Sequence, residues 1–148
     1  MIGGVTPNFG ARSEEALGKM RKQYHIRTSD RGNLIWDVDR LHELSAGLPR
    51  QQIPLSDIRE LDEEYWFGGE EDRATVRAVA SHARLIAETD LSYPIILCAA
   101  GRIMDGMHRV AKAYLKGQAS IAAVQFTETP EPNYVGMDLG DLPYEDAA

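Results

Sequence analysis

The chain carries one cysteine, Cys98, in 148 residues. It cannot close an internal disulfide or supply a Cys-rich zinc site, which fits a reducing compartment. Long apolar runs are missing too. The longest, residues 93–101, is far short of the roughly 20 residues a membrane-crossing helix needs. No basic-then-apolar leader or small-residue cleavage site is legible in the first nine residues, so the sequence predicts a cytoplasmic protein. Bases are scarce relative to acids, 16 Lys and Arg against 23 Asp and Glu, a net charge of −7. Such a field repels phosphate backbones and argues against autonomous nucleic-acid binding. The strings G-x-S-x-G, G-x-x-x-x-G-K, G-x-G-x-x-G and H-E-x-x-H are also absent. That leaves no sign of a nucleophile elbow, a P-loop, a dinucleotide fingerprint or a zinc hydrolase, and His25, His42 and His82 are scattered.

What is present suits one folded domain. A chain of this length buries roughly 70% of the surface it exposes when unfolded and needs no metal or disulfide to hold it. The charge is uneven. Residues 57–72 hold eight acids against Arg59, and residues 127–148 hold six acids and no base. Residues 102–116 carry Arg102, Arg109, Lys112 and Lys116 against Asp105 alone, so any anion site is expected there.

Residues 1–11 read as a loose arm. Ser13 is placed to cap a helix over 13–24, with Leu17, Met20 and Tyr24 on one face. After a turn at Asp30–Asn33, residues 34–36 read as a short strand or as the lead-in to a helix over Val38, Leu41 and Leu44, which Gly47 and Pro49 stop. Residues 52–55 are a short extended segment that Pro54 places at an edge or at a strand start. Tyr65, Trp66 and Phe67, before Gly68 and Gly69, form either core or a mobile flap. The clearest helix covers 72–90, with Val76, Val79, Ala80, Ala83, Ile86 and Ala87 on one face. Residues 94–98 are a buried strand, paired as a tight hairpin with one beginning at Ile103. A helix follows over Met107, Val110, Ala111, Tyr114 and Leu115 to a stop at Gly117, and 121–126 is the last strand. The tail from Thr127 shows no period and is expected to be extended or partly disordered.

Chemistry concentrates at Asp105-Gly106-Met107-His108-Arg109. A strand running through an Asp-Gly turn into a helix leaves the first helical N–H groups pointing outward, an anion-binding arrangement. With Asp105 near the N-cap, the His108 imidazole and the Arg109 guanidinium fall in the first turn, and Gly106 admits close approach of a ligand. The same residues also have a purely structural use, Asp105 as a cap and Arg109 as the partner of a nearby acid. Glu70, Glu71 and Asp72 are either a second acidic contribution or a complement to a helix dipole. Asp37 and Asp39, two apart, read as a solvated edge.

The run Asp-Gly-Met-His-Arg-Val-Ala-Lys-Ala, then Gly117 and a closing strand, resembles the core box of the ParB/sulfiredoxin superfamily. The upstream order is similar as well: Ile53-Pro54-Leu55-Ser56-Asp57-Ile58, a helix over 72–89, and the strand Tyr93-Pro94-Ile95-Ile96-Leu97. The resemblance covers about residues 51–126, half the chain. It implies an α/β (α+β) fold with a small mixed sheet packed by helices, preceded by a helical extension (1–50) and followed by an acidic tail (127–148). It also implies a nucleoside triphosphate, with Mg²⁺, held through Gly106, Met107, His108 and Arg109, and Asp105 as the catalytic residue of hydrolysis or phosphoryl transfer.

Two departures narrow that expectation. Met107 stands where sulfiredoxin needs a cysteine, and a thioether is no thiolate nucleophile, so sulfinic-acid reduction is not expected; Cys98 lies on a predicted buried strand. No helix-turn-helix follows the box, so partition-type site-specific DNA binding is not expected of the chain alone. The alternatives are a non-catalytic module binding a protein through the acidic tail and the Trp66 region, and a DNA-associated domain within a larger complex.

Overall fold

From Tyr24 onward the chain runs as paired strands rather than following a helical period. Residues 22–144 are described by the computed structural model. The expected N-terminal arm, nearly all of the expected 13–24 helix and the last four residues lie outside the described residues. β1 (Tyr24–Ser29) and β2 (Gly32–Asp37) form an antiparallel hairpin, with Tyr24 opposite Asp37 and Ser29 opposite Gly32. β7 (Tyr134–Val135) joins the other edge of β2, pairing Leu34 with Val135. This sheet corrects one expectation, since Tyr24 opens a strand instead of ending a helix, and it holds the described part of the tail in place. Tyr24, Ile26, Ile35 and Leu142 are buried together, with Tyr134, Met137, Leu139 and Tyr144 packed against them. The Tyr24 hydroxyl donates to the Pro143 carbonyl and the Tyr144 hydroxyl to the Leu139 carbonyl. Asp37 and Asp39 are not a bare solvated edge, because Lys22 Nζ bridges them at 3.0 and 3.2 Å. The other Asp37 oxygen accepts from the Asp39 N–H as α1 (Val38–Ser45) begins.

The described chain divides into two compact units, 22–41, 65–81 and 131–144 in one, 42–64 and 82–130 in the other. The second contains a four-stranded sheet of order β3-β6-β4-β5. β3 (Gln51–Pro54) runs antiparallel to β6 (Ser120–Gln125), β6 runs parallel to β4 (Ile95–Leu97), and β4 runs antiparallel to β5 (Ile103–Asp105). The small mixed sheet and its hairpin are as the sequence predicts, with Pro54 ending an edge strand where its missing N–H costs no ladder bond. β4 is wholly buried, and α3 (Met107–Leu115) packs on β4 and β6. With helices and two sheets, the fold is α+β.

Glu60, in the short 3₁₀ turn Arg59–Asp62, is only 1% exposed. Its Oε2 accepts from the Ile103 N–H at 2.8 Å and lies 3.2 Å from Arg102 Nε. Arg102 then meets both oxygens of Glu63 at 2.9 and 2.7 Å. This pairing fixes the start of β5, the strand that leads into the Asp105 turn.

The expected 72–90 helix is shorter. α2 (Val76–Glu88) starts only after Thr75, whose hydroxyl accepts from the Ala78 N–H as an N-cap does. Its buried side is also rotated from the expected one. Val76 and Val79 are exposed, and the inward positions are Ala78, Ser81, His82, Leu85 and Ile86. At its far end Lys112 Nζ donates to the Ala87 and Thr89 carbonyls (3.0 and 2.7 Å), serving the terminus of a neighbouring helix as well as suiting its own. Among the described residues no helix is long and apolar enough to cross a membrane.

Candidate functional site

β5 ends at Asp105, and the chain enters α3 through Gly106, the N-cap residue, at φ +111° and ψ +22°. Asp105 therefore lies near the N-cap, one residue before it, but its structural use as the cap itself is not realised. Its carboxylate turns away from the helical amides toward the Arg109 guanidinium, which offers a stronger, charge-assisted hydrogen bond than a neutral N–H does, and toward the His42 imidazole. His42 Nε2, from α1, lies 3.1 Å from Asp105 Oδ2, and Arg109 Nη2 donates to the same oxygen at 3.2 Å. Burial pushes the Asp105 carboxyl up, but the His42 hydrogen bond and the Arg109 charge outweigh it, leaving the group below the usual carboxylate range.

Gly106 has no side chain to cap the helix, so the N-cap residue offers no acceptor to the first-turn amides. A Cβ there would stand 2.7 Å from Ile95 Cγ2 and 2.9 Å from Arg109 Nη2. The guanidinium is therefore folded against the glycine at the helix N-terminus. Arg109 Nη2 also donates to the Pro94 carbonyl at 3.3 Å, whereas its buried Nε has no hydrogen-bond partner among the described residues. The structural use expected of Arg109, an ion pair with a nearby acid, is present in its contact with Asp105.

Met107 is buried, so its thioether belongs to the core and only its backbone N–H faces the turn's chemistry. His108 is placed differently from the expectation of an imidazole aimed at a ligand. Its Nε2 lies 2.9 Å from Nδ1 of His82, and the two rings stack with centroids 5.2 Å apart. One ring must donate and the other accept, so the pair needs at least one neutral imidazole. Burial holds His82 down to about 4, and burial, aided by His82 and Arg109 against Asp105, holds His108 down to about 3. Cys98 is buried at the end of the apolar β4 segment, as its sequence setting predicts. Glu70, Glu71 and Asp72 fall in the other compact unit.

These depressed values set an acid sensitivity. The unfolded chain protonates its histidines near pH 6.5, whereas the folded pair takes up protons only at lower pH. Below pH 6.5 the unfolded state binds more protons, so stability falls as the pH drops toward 4. Between about pH 7 and about pH 5 each histidine accounts for about 2 kcal/mol, so the expected loss for the pair is on the order of 4 kcal/mol. Urea unfolding at the two pH values measures it, and replacing both His82 and His108 by Phe flattens the slope.

The donors present do not build a metal centre of their own. Among the described residues no group of three or more His, Cys, Asp or Glu could hold a metal ion. His82 and His108 spend nitrogens on each other, and Asp105 is engaged by His42 and Arg109.

Sequence reasoning missed His42 and His82. The scattered positions of the histidines gave no spacing to read, although 78, 81, 82, 85 and 86 do form a helical stripe on which His82 is the ionisable member. No protein-family model, no curated protein and no solved structure matches the chain.

Proposed function

We propose that the turn from Asp105 to Arg109 binds the phosphates of a nucleoside triphosphate, the ligand implied by the likeness of its core box to the ParB/sulfiredoxin superfamily. The observation that carries this reading is the Arg109 guanidinium, folded against the glycine N-cap of an uncapped nine-residue helix, with a buried Nε that has no partner among the described residues. Phosphate oxygens would accept from the amides of Met107, His108 and Arg109 and from the guanidinium, combining the helix dipole with a charge-assisted bond. Asp105 holds Arg109 in place. Its low pKa makes it a poor proton acceptor near neutrality, so it suits orienting the cations at the turn better than general-base work. Binding is thus the primary activity proposed, and hydrolysis or phosphoryl transfer would follow only with a base or acceptor brought near the turn. A cytoplasmic setting accords with a nucleotide ligand.

A thermal-shift series with ATP, CTP, GTP and ADP, with and without Mg²⁺, tests this on the wild type and on Arg109→Ala. At a ligand concentration 100-fold above Kd the site adds about 2.7 kcal/mol, several degrees in Tm, and Arg109→Ala abolishes the shift. No shift with any nucleotide in the wild type would overturn the proposal and direct attention to a protein partner of the acidic tail.

A further inference from the structure

We propose that His42 is a proton-dependent member of this phosphate site, whose protonation releases Arg109 from Asp105 and so couples phosphate binding to proton uptake. This rests on the phosphate reading above. The geometry behind it is a contest for one atom. His42 Nε2 and Arg109 Nη2 approach the same oxygen, Asp105 Oδ2, at 3.1 and 3.2 Å, from α1 and α3 respectively.

With His42 neutral, Asp105 has one full cation against it, and the pair Asp105–Arg109 sums to zero. A phosphate arriving at the helix start then meets a guanidinium already neutralised and a carboxylate that repels it. With His42 protonated, Asp105 has a second cation on the same oxygen and the three side chains sum to +1. Arg109 can then turn its charge to a phosphate while Asp105 remains paired. His42 is half exposed, 51% at the side chain, so protons from solvent reach it directly.

The other ionisable groups near the turn do not duplicate this response. His108 on α3 and its partner His82 on α2 are held neutral by burial over the range in which ordinary histidines titrate. Asp90, in the connection between α2 and β4, lies in the field of Lys112 and Arg109 and stays ionised, its carboxyl held down by the Ser92 backbone and side chain. β4, the strand paired with β5, contributes the apolar Ile95, Ile96 and Leu97. Glu60, Glu63 and Arg102 pair among themselves about the start of β5.

The test is calorimetric titration of ATP and of inorganic pyrophosphate into wild type, His42→Gln and Asp105→Asn at about pH 8 and about pH 5.5. Comparing variants with the same ligand cancels the ligand's own titration. At the higher pH wild type and His42→Gln should bind alike. At the lower pH wild type should bind about tenfold tighter than His42→Gln, within the usual range of coupling between sites. Asp105→Asn should bind more tightly than wild type at the higher pH and respond less to acid. Gln at a half-exposed helix position preserves the fold, so the comparison stands even if Asp105→Asn does not fold. Binding by wild type with the same pH profile in His42→Gln overturns the role of His42 and leaves the phosphate site standing. No binding of either probe by wild type at either pH overturns both.

Discussion

Glu60→Ala will destabilise the fold by about 3–5 kcal/mol, the cost of breaking a buried charge pair from one side. The carboxylate is 1% exposed and accepts the Ile103 N–H at 2.8 Å, while Arg102 Nε sits 3.2 Å away. Removing it strands a backbone donor at the first residue of β5 and leaves Arg102 with Glu63 alone, whose side chain is 37% exposed. An unsatisfied buried N–H by itself costs about 1–3 kcal/mol. Glu60→Gln keeps an acceptor for Ile103 but gives up the charge facing Arg102, so it should lie between wild type and Glu60→Ala. Urea denaturation with linear extrapolation resolves the three. Equal stability of Glu60→Ala and wild type would show that Glu60 does not secure β5.

The second large effect is expected at Gly106→Ala, at about 3 kcal/mol. A side chain at φ +111° strains the backbone by about 1–2 kcal/mol. The added Cβ would also lie 2.7 Å from Ile95 Cγ2, and Ile95 is completely buried on β4, so it cannot give way without repacking worth about 1–3 kcal/mol. Gly117→Ala is the internal control. Gly117 also has positive φ, +75°, but nothing stands within 4 Å of a Cβ there, so only the backbone cost applies. Any Gly106→Ala protein that folds should also fail to bind nucleotide, because the same Cβ meets Arg109 Nη2 at 2.9 Å and displaces it. Equal losses from the two substitutions would show that close packing at Gly106 contributes nothing.

The segment from β4 to β6 was legible because each of its signals is local. A short β-branched run, a turn at Gly101 and Arg102, the Asp-Gly pair and a helical period stopped by Gly117 follow one another without a gap, and tertiary contacts agree with them. The β1-β2-β7 sheet was illegible for the converse reason. Its last strand is two residues long and pairs Leu34 with Val135, a contact about a hundred residues apart that no local period announces. The spacing of Leu17, Met20 and Tyr24 suggested a helix into Tyr24, but Tyr24 is held as strand by Asp37 opposite and by the tail residues around it.

Within the site, Gly106 and Arg109 were readable from the turn and helix, and their companions were not. His42 reaches Asp105 from a helix more than sixty residues earlier. His82 was hidden by Val76 and Val79, which look like the core face of α2 and are exposed. The displacement of the cap from Asp105 to Gly106 also depends on tertiary partners, since only His42 and Arg109 give that carboxylate something better than an amide to hold.

The most direct measurement is a ¹⁵N-resolved NMR titration of the wild-type chain with ATP, following individual backbone amides. If the turn holds phosphate, the Met107, His108 and Arg109 amides shift first and furthest, saturate together, and stay still in Arg109→Ala at the same ligand concentration. Saturable shifts confined to other parts of the chain, or none at all, would contradict a phosphate site at the start of α3.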